Sequence, residues 1–247
     1  MRPLVLLLIV CLQASGQVGL QHPAFVGSLL APAAGGGGGS PSFLLATNTV
    51  DVATEFLTNT VTINAGDLIV NLWHTYDTHT GGLESNIANG QSMTVIAQTN
   101  SYSGTTGTNA GFGAAWFLAT SNGVWKVSGN AFGSPVEHSV QTLVYRGANA
   151  STPIGAAVVD WSGTTRSGTT NSISTGASDL AFSAVAWNVG AVGGVGSGQT
   201  IRLSADPTPD DASLSASDKA GAAGTTTVSW SGFSVGPVFS IQFAIKP

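Results

Sequence analysis

Past residue 43 the chain breaks into short runs in which apolar and β-branched residues alternate with Thr, Ser and Asn. Val140, Thr142 and Val144 fall on one side of such a run, and Ile241, Phe243 and Ile245 on one side of another. A period of two places alternate side chains on one face of a strand. Read this way, strands are predicted over 60–64, 68–76, 93–99, 114–119, 123–127, 136–145, 172–175, 180–189, 200–204, 225–231 and 238–245. No segment carries a sustained i, i+3, i+4, i+7 apolar pattern with caps. Many short strands with turn residues between them predict an all-β fold, a two-sheet antiparallel β-sandwich or jelly roll. Leu68, Val70, Val140, Val144, Ile241 and Ile245 are its expected core.

The runs also repeat weakly. "INAGDLIVNLW" from Ile63 compares with "TGASDLAFSAVAW" from Thr175, which aligns Asp67-Leu68 with Asp179-Leu180. "VWKVSGNAFG" from Val124 compares with "TVSWSGFSVG" from Thr227, and "SVQTLVYR" from Ser139 with "SIQFAIKP" from Ser240. The order is the same in both halves, which gives pseudo-repeats over about 50–150 and 165–247. Each half holds too few predicted strands to bury a face alone, so one domain over 43–247 is expected.

Composition narrows the functions open to such a fold. Charged residues make up 8% of the 247, about a third of the usual share, while 43% are hydrophobic, which excludes a disordered chain. Net charge is −5 and only seven Lys and Arg are present, spread thinly, so no basic stripe exists to neutralise nucleic-acid phosphates. The N-terminus reads as a secretory signal over residues 1–16: Arg2, then the apolar Leu4 to Leu12, then Ala14-Ser15-Gly16 as a small-x-small cleavage pattern. The run is too short to span a bilayer, so no transmembrane anchor is expected after cleavage. The single cysteine, Cys11, falls within it. Residues 17–42 contain "APAAGGGGGSPS" and read as a flexible linker, because no regular element holds five consecutive glycines.

The series "AGDLIVNLW", "AWFLATSNGVWKVSG", "VYRGANASTPI", "SDLAFSAVAW" and "AAGTTTVSWSGF…IQFAIKP" resembles unannotated Gly-, Ala- and Thr-rich β-sandwich modules. These occur in bacterial secreted proteins and in phage tail or other virion proteins. The likeness runs from about Val50 to Pro247. Members carry "PAGW" after the second strand, where this chain has "GGLESNIANGQSM". The resemblance implies surface or virion architecture, with adhesion as a related role, and its motifs mark strand starts and turns rather than an active site.

Titratable groups are densest in "NLWHTYDTHTGGLES", which holds His74, Asp77, His79 and Glu84. If 68–76 is a strand, Leu68, Val70, Leu72 and His74 share one face and Ile69, Asn71 and Trp73 the other. His79 then lies beyond the strand, on a Gly-Gly loop that supports a tetrahedral metal site poorly. The expected reading is a solvated strand end, with these side chains keeping the sandwich end hydrated. Gly232-Phe233-Ser234-Val235-Gly236 matches the G-x-S-x-G nucleophile pattern, but a strand follows it, and no Asp, Glu or His comes after Ser234.

Asp206, Asp210 and Asp211 cluster in a Pro-containing loop that would suit Ca2+, the one cofactor the sequence suggests, although the spacing lacks EF-hand regularity. Five of the six tryptophans fall in predicted strands, where core packing accounts for them. Trp161 lies between Asp160 and Arg166 in a hydroxyl-rich loop, an arrangement that could stack on a sugar ring. The function expected from sequence is a non-enzymatic structural or adhesive module, secreted or part of a virion. Its partners are a protein or glycan surface, or further copies in a homo-oligomer. A carbohydrate-binding module is the first alternative; a hydrolase or metalloenzyme is the second.

Overall fold

The computed structural model describes residues 39–51, 56–77, 85–102, 109–130, 137–162, 167–189, 194–205, 213–233 and 235–247. The expected signal segment and nearly all of the linker lie outside them. Every regular element among the described residues is a β-strand, and every pairing is antiparallel. The sandwich expected from the alternation is present, and it occurs twice.

In the first half, an inner sheet runs in the order β1 (Ser42–Asp51), β9 (Glu137–Arg146), β3 (Leu68–Asp77), β7 (Asn109–Leu118), β6 (Thr94–Tyr102). An outer sheet of β2 (Phe56–Ile63), β8 (Gly123–Asn130), β4 (Ser85–Ala88) and β5 (Gln91–Ser92) covers one of its faces. The second half repeats this order. Its inner sheet is β10 (Val158–Ser162), β17 (Val235–Ile245), β12 (Leu180–Val189), β15 (Ser213–Ala220), β14 (Thr200–Ala205). Its outer sheet is β11 (Gly168–Thr175), β16 (Gly224–Ser231), β13 (Gly194–Val195). Apart from the short β5, the halves match strand for strand, and each inner sheet carries the interleaved order of a jelly roll.

The inner sheets pack on each other. Leu68, Val70 and Leu72 of β3 meet Phe182, Ala184 and Ala186 of β12 in one continuous core that also takes in Phe112, Phe239, Ile241 and Phe243. On its opposite face β3 turns Ile69 and Trp73 toward Trp125 and Val127 of the first outer sheet. Val185 and Trp187 of β12 likewise turn toward Trp230. The stack is therefore outer, inner, inner, outer, and both inner sheets are covered on both faces. All six residues named as core from the sequence are buried.

The halves are related by a pseudo-twofold. β1 lies beside β14 and, on the opposite flank, β10 lies beside β6; β9 faces β15 as β17 faces β7. Local details follow the same operator. Asp67 closes its turn by accepting from the Asn64 N–H at 2.9 Å, and Asp179 does so from the Gly176 N–H at 2.7 Å. β6 is bulged between Val95 and Ala97, and β14 at the matching place between Ile201 and Leu203. Asn59 and Asn171 occupy equivalent positions between inner and outer sheets, the first buried and the second partly so. Asn59 donates to the Val140 carbonyl and to Thr142 at 3.1 Å, and Asn171 to Ser240 at 3.2 Å.

Register separates the observed repeat from the one read in the sequence. Leu68 pairs with Tyr145 and Leu180 with Ile245, so Arg146 corresponds to Lys246. Aligning "SVQTLVYR" with "SIQFAIKP" by their shared Ser and Gln is one residue out, and a one-residue slip exchanges the faces of a strand. Gln141 accordingly faces the inter-half core, where it donates to the Leu214 carbonyl at 2.6 Å. Gln242 faces away from that core, opposite Ser183.

Candidate functional site

His74 is on β3, on the face predicted for it, but its surroundings are not solvent. It is fully buried between the inner sheets, with its ring 6.1 Å from that of Phe239. Thr75, on the opposite face, is buried as well. The expectation of a hydrated strand end is therefore corrected at these two positions: the second half of the chain covers His74, and the face of Thr75 is the one turned to the first outer sheet. Asp77 ends the strand opposite Asn109, while His79 and Glu84 lie outside the described residues. A second histidine, not singled out by the sequence pattern, sits next to this one. His138 on β9 pairs with Thr75 and is fully buried on the face turned to the first outer sheet. Adjacent strands thus carry His74 and His138 to opposite faces of one sheet, and surrounding groups engage both imidazoles.

Trp161 belongs to a strand rather than a loop. It lies on edge strand β10 opposite Phe239, is 43% exposed, and stacks on that ring at 6.4 Å and 26°. Alternation turns Asp160 to the other face, the side of Ser240 and the second outer sheet. Arg166 lies outside the described residues, as do Asp206, Asp210, Asp211 and Ser234. Around Ser234, Gly232 has φ +86°, Phe233 is buried against Trp187, and β17 follows. Among the described residues no three His, Cys, Asp or Glu side chains gather as a metal site.

The polar constellation that the fold does assemble joins the two halves. Asp218 on β15 is buried and receives the Arg202 guanidinium in a fork, Nε to Oδ2 at 2.8 Å and Nη2 to Oδ1 at 2.7 Å. The Tyr145 hydroxyl, from the other half, donates to Asp218 Oδ2 at 3.1 Å. Arg202 also lies over the Phe43 ring, 4.7 Å from its centroid, and Phe43 meets Tyr145 edge to face at 5.7 Å. β1 and β9 thus supply two aromatics, and β14 and β15 an ion pair whose carboxylate is buried and whose guanidinium is partly so. A second fork, Arg146 to Asp67 at 2.8 Å and 2.9 Å, ties the end of β9 to the turn before β3 within the first half. The sequence did offer a sign of the first cluster. It is a faint one, the scarcity of charges alone, since Asp218 stands beside Lys219 as an ordinary surface pair would.

Burial pushes the Tyr145 phenol well above its ordinary value, the negative charge of Asp218 adds to this, and the hydrogen bond to Asp218 adds further. Arg202 is raised by its hydrogen bonds to Asp218. The cluster holds its protons firmly, with the carboxylate occupied by three donors and closed to solvent. Its chemistry is that of a fastening.

The sign for stability follows from linkage. Above about pH 10 the unfolded chain releases the Tyr145 proton that the native chain retains, so stability is full below that pH and falls as pH rises through it. Urea denaturation at pH 8 and pH 11 should show a loss with pH that is smaller in Tyr145→Phe than in the unsubstituted chain. Equal losses would mean that Tyr145 is not the group responsible.

No family model matches the chain, and neither a curated protein nor a solved structure is similar to it at a significant level.

Proposed function

We propose that the chain is a non-enzymatic structural or adhesive β module, exported or built into a virion. The observation that carries this reading is the character of the two outer faces. Thr58, Thr60 and Thr62 project from the first, and Thr170, Ser172, Ser174, Thr225 and Thr227 from the second, all exposed. Cross-strand pairs such as Thr58 with Ser128 and Ser172 with Thr227 join hydroxyls at 2.7 Å and 3.0 Å. Broad faces of this kind hydrogen-bond to a neighbour without long-range repulsion, which suits lateral packing or attachment to a hydroxyl-rich surface. The back-to-back stack supports the reading further, since the buried Asp218 serves to fasten one half to the other. No helix among the described residues is long and apolar enough to cross a membrane.

The test takes the purified full-length chain. Electron microscopy would look for ordered assemblies, and co-sedimentation for retention on insoluble polysaccharide. Assembly or retention supports the proposal. Turnover of an ester, glycoside or peptide substrate that follows the chain to homogeneity would sink it.

A second reading, carbohydrate binding, rests on one observation: Trp161 presents an exposed indole backed by Phe239. A rigid flat ring at a sheet edge is a platform for a sugar face. On a glycan array, Trp161→Ala should lose at least tenfold in signal while its melting temperature stays within a few degrees. Any glycan signal that persists unchanged in this variant would remove Trp161 from the binding surface.

A further inference from the structure

The pseudo-twofold creates two flanks where the halves meet, and the flanks are not alike. Strand register gives the correspondence: Phe43 with Ile154 and Tyr145 with Ile245, each pair set by its partner strand. On the other side of each flank, Ile96 corresponds to Arg202 and Trp116 to Asp218. One flank therefore holds Phe43 and Tyr145 against Arg202 and Asp218. The symmetry-related flank holds Ile154 and Ile245 against Ile96 and Trp116, all packed into the inter-half core. A polar fastening stands on one side where aliphatic and indole packing stands on the other.

We infer that the Tyr145–Asp218–Arg202–Phe43 cluster is a pairing selector, which makes a first-half face recognise a second-half face and reject a copy of itself. The competing pairings are those between chains. A first half on another first half would place Phe43 and Tyr145 against Ile96 and Trp116 on both flanks, burying two tyrosine hydroxyls with no acceptor. A second half on another second half would set Arg202 and Asp218 against Ile154 and Ile245 twice, leaving a buried carboxylate without its tyrosine donor and an arginine without its aromatic shelf. Unpaired buried polar groups are the standard means of excluding a wrong partner. Mixed pairing alone satisfies every polar group of the cluster. What the cluster screens out is the like half of a second copy of this chain, whose inner sheet carries the same apolar face.

The experiment uses the full chain and a variant in which the polar flank becomes a copy of the apolar one: Phe43→Ile, Tyr145→Ile, Arg202→Ile and Asp218→Trp together. Both proteins are unfolded, refolded by dilution over a hundredfold range of concentration, and their masses measured by light scattering. The unsubstituted chain should return to its starting mass throughout. The variant should keep a β-type circular dichroism spectrum yet form dimers and larger species at high concentration, at least fivefold more than the parent. A folded variant with the parent's mass distribution at every concentration overturns the inference. If the variant stays insoluble, Tyr145→Phe replaces it, since it removes one hydroxyl and no packing atom. Its dimer fraction at the highest concentration should at least double, and equality with the parent overturns the inference as well.

Discussion

Gly113→Ala is expected to lose about 3 kcal/mol of stability, toward the upper end of what overpacking costs. Gly113 lies directly opposite Trp73 across the β3–β7 pair. A Cβ there would be driven into the Trp73 indole, far inside van der Waals contact. Neither partner can yield easily, because Trp73 is fully buried between inner and outer sheets. The need for glycine here is steric and owes nothing to backbone conformation. Urea midpoints provide the measure, and the double variant Trp73→Phe/Gly113→Ala adds a check. Its loss should fall well short of the sum of the single losses, since the smaller ring vacates the space the methyl needs. Additive losses would show that the two positions do not share that space.

Asp218→Ala is expected to cost about 3 kcal/mol for a different reason, the loss of a partner that others require. Without the carboxylate, the Tyr145 hydroxyl is buried with no acceptor and Arg202 is left half-desolvated over Phe43. The double variant Arg202→Met/Asp218→Leu should recover at least half of the loss, because it removes both charges and keeps apolar volume. If the double variant is no better than Asp218→Ala, packing around β15 rather than the stranded charge sets the cost. Both substitutions are read best as unfolding midpoints.

Much of the fold was legible because outer-sheet strands alternate cleanly. β2 reads "FLTNTVTI" with every second residue buried, the signature of a strand with one wet face. Some inner strands were harder. β15, "SLSASDKA", is buried from Ser213 to Asp218 yet resembles a solvated loop. Its Ser213 and Ser215 lie opposite Trp187 and Val185, so small side chains on one strand leave room for large ones on its neighbour. Composition records the small residues and says nothing of the tryptophan beside them.

The misreading of His74 has the same origin. A local pattern assigns a side chain to a face, but which sheet covers that face depends on residues more than a hundred positions away. Trp161 was placed in a loop because β10 has five residues and little alternation to display. The cluster at Asp218 could not be drawn from sequence at all. It needs the pseudo-twofold first, and the repeat as read from shared Ser and Gln residues had its register one position out.

The matched bulges in β6 and β14 bear on how this protein behaves when crowded. A chain in which 8% of residues are charged, with hydroxyl-rich faces, places few charges at any one strand edge to hold copies apart. Each inner sheet ends in edge strands whose unsatisfied amides could template further strands, the first step toward a cross-β fibril. β1, β6 and β14 each interrupt that template with a bulge, at Phe43/Leu45, Val95/Ala97 and Ile201/Leu203. β10 limits it by being short and by placing Asp160 at its centre. At the inner-sheet edges strand shape thus opposes templating, where a more highly charged protein would rely on its net charge.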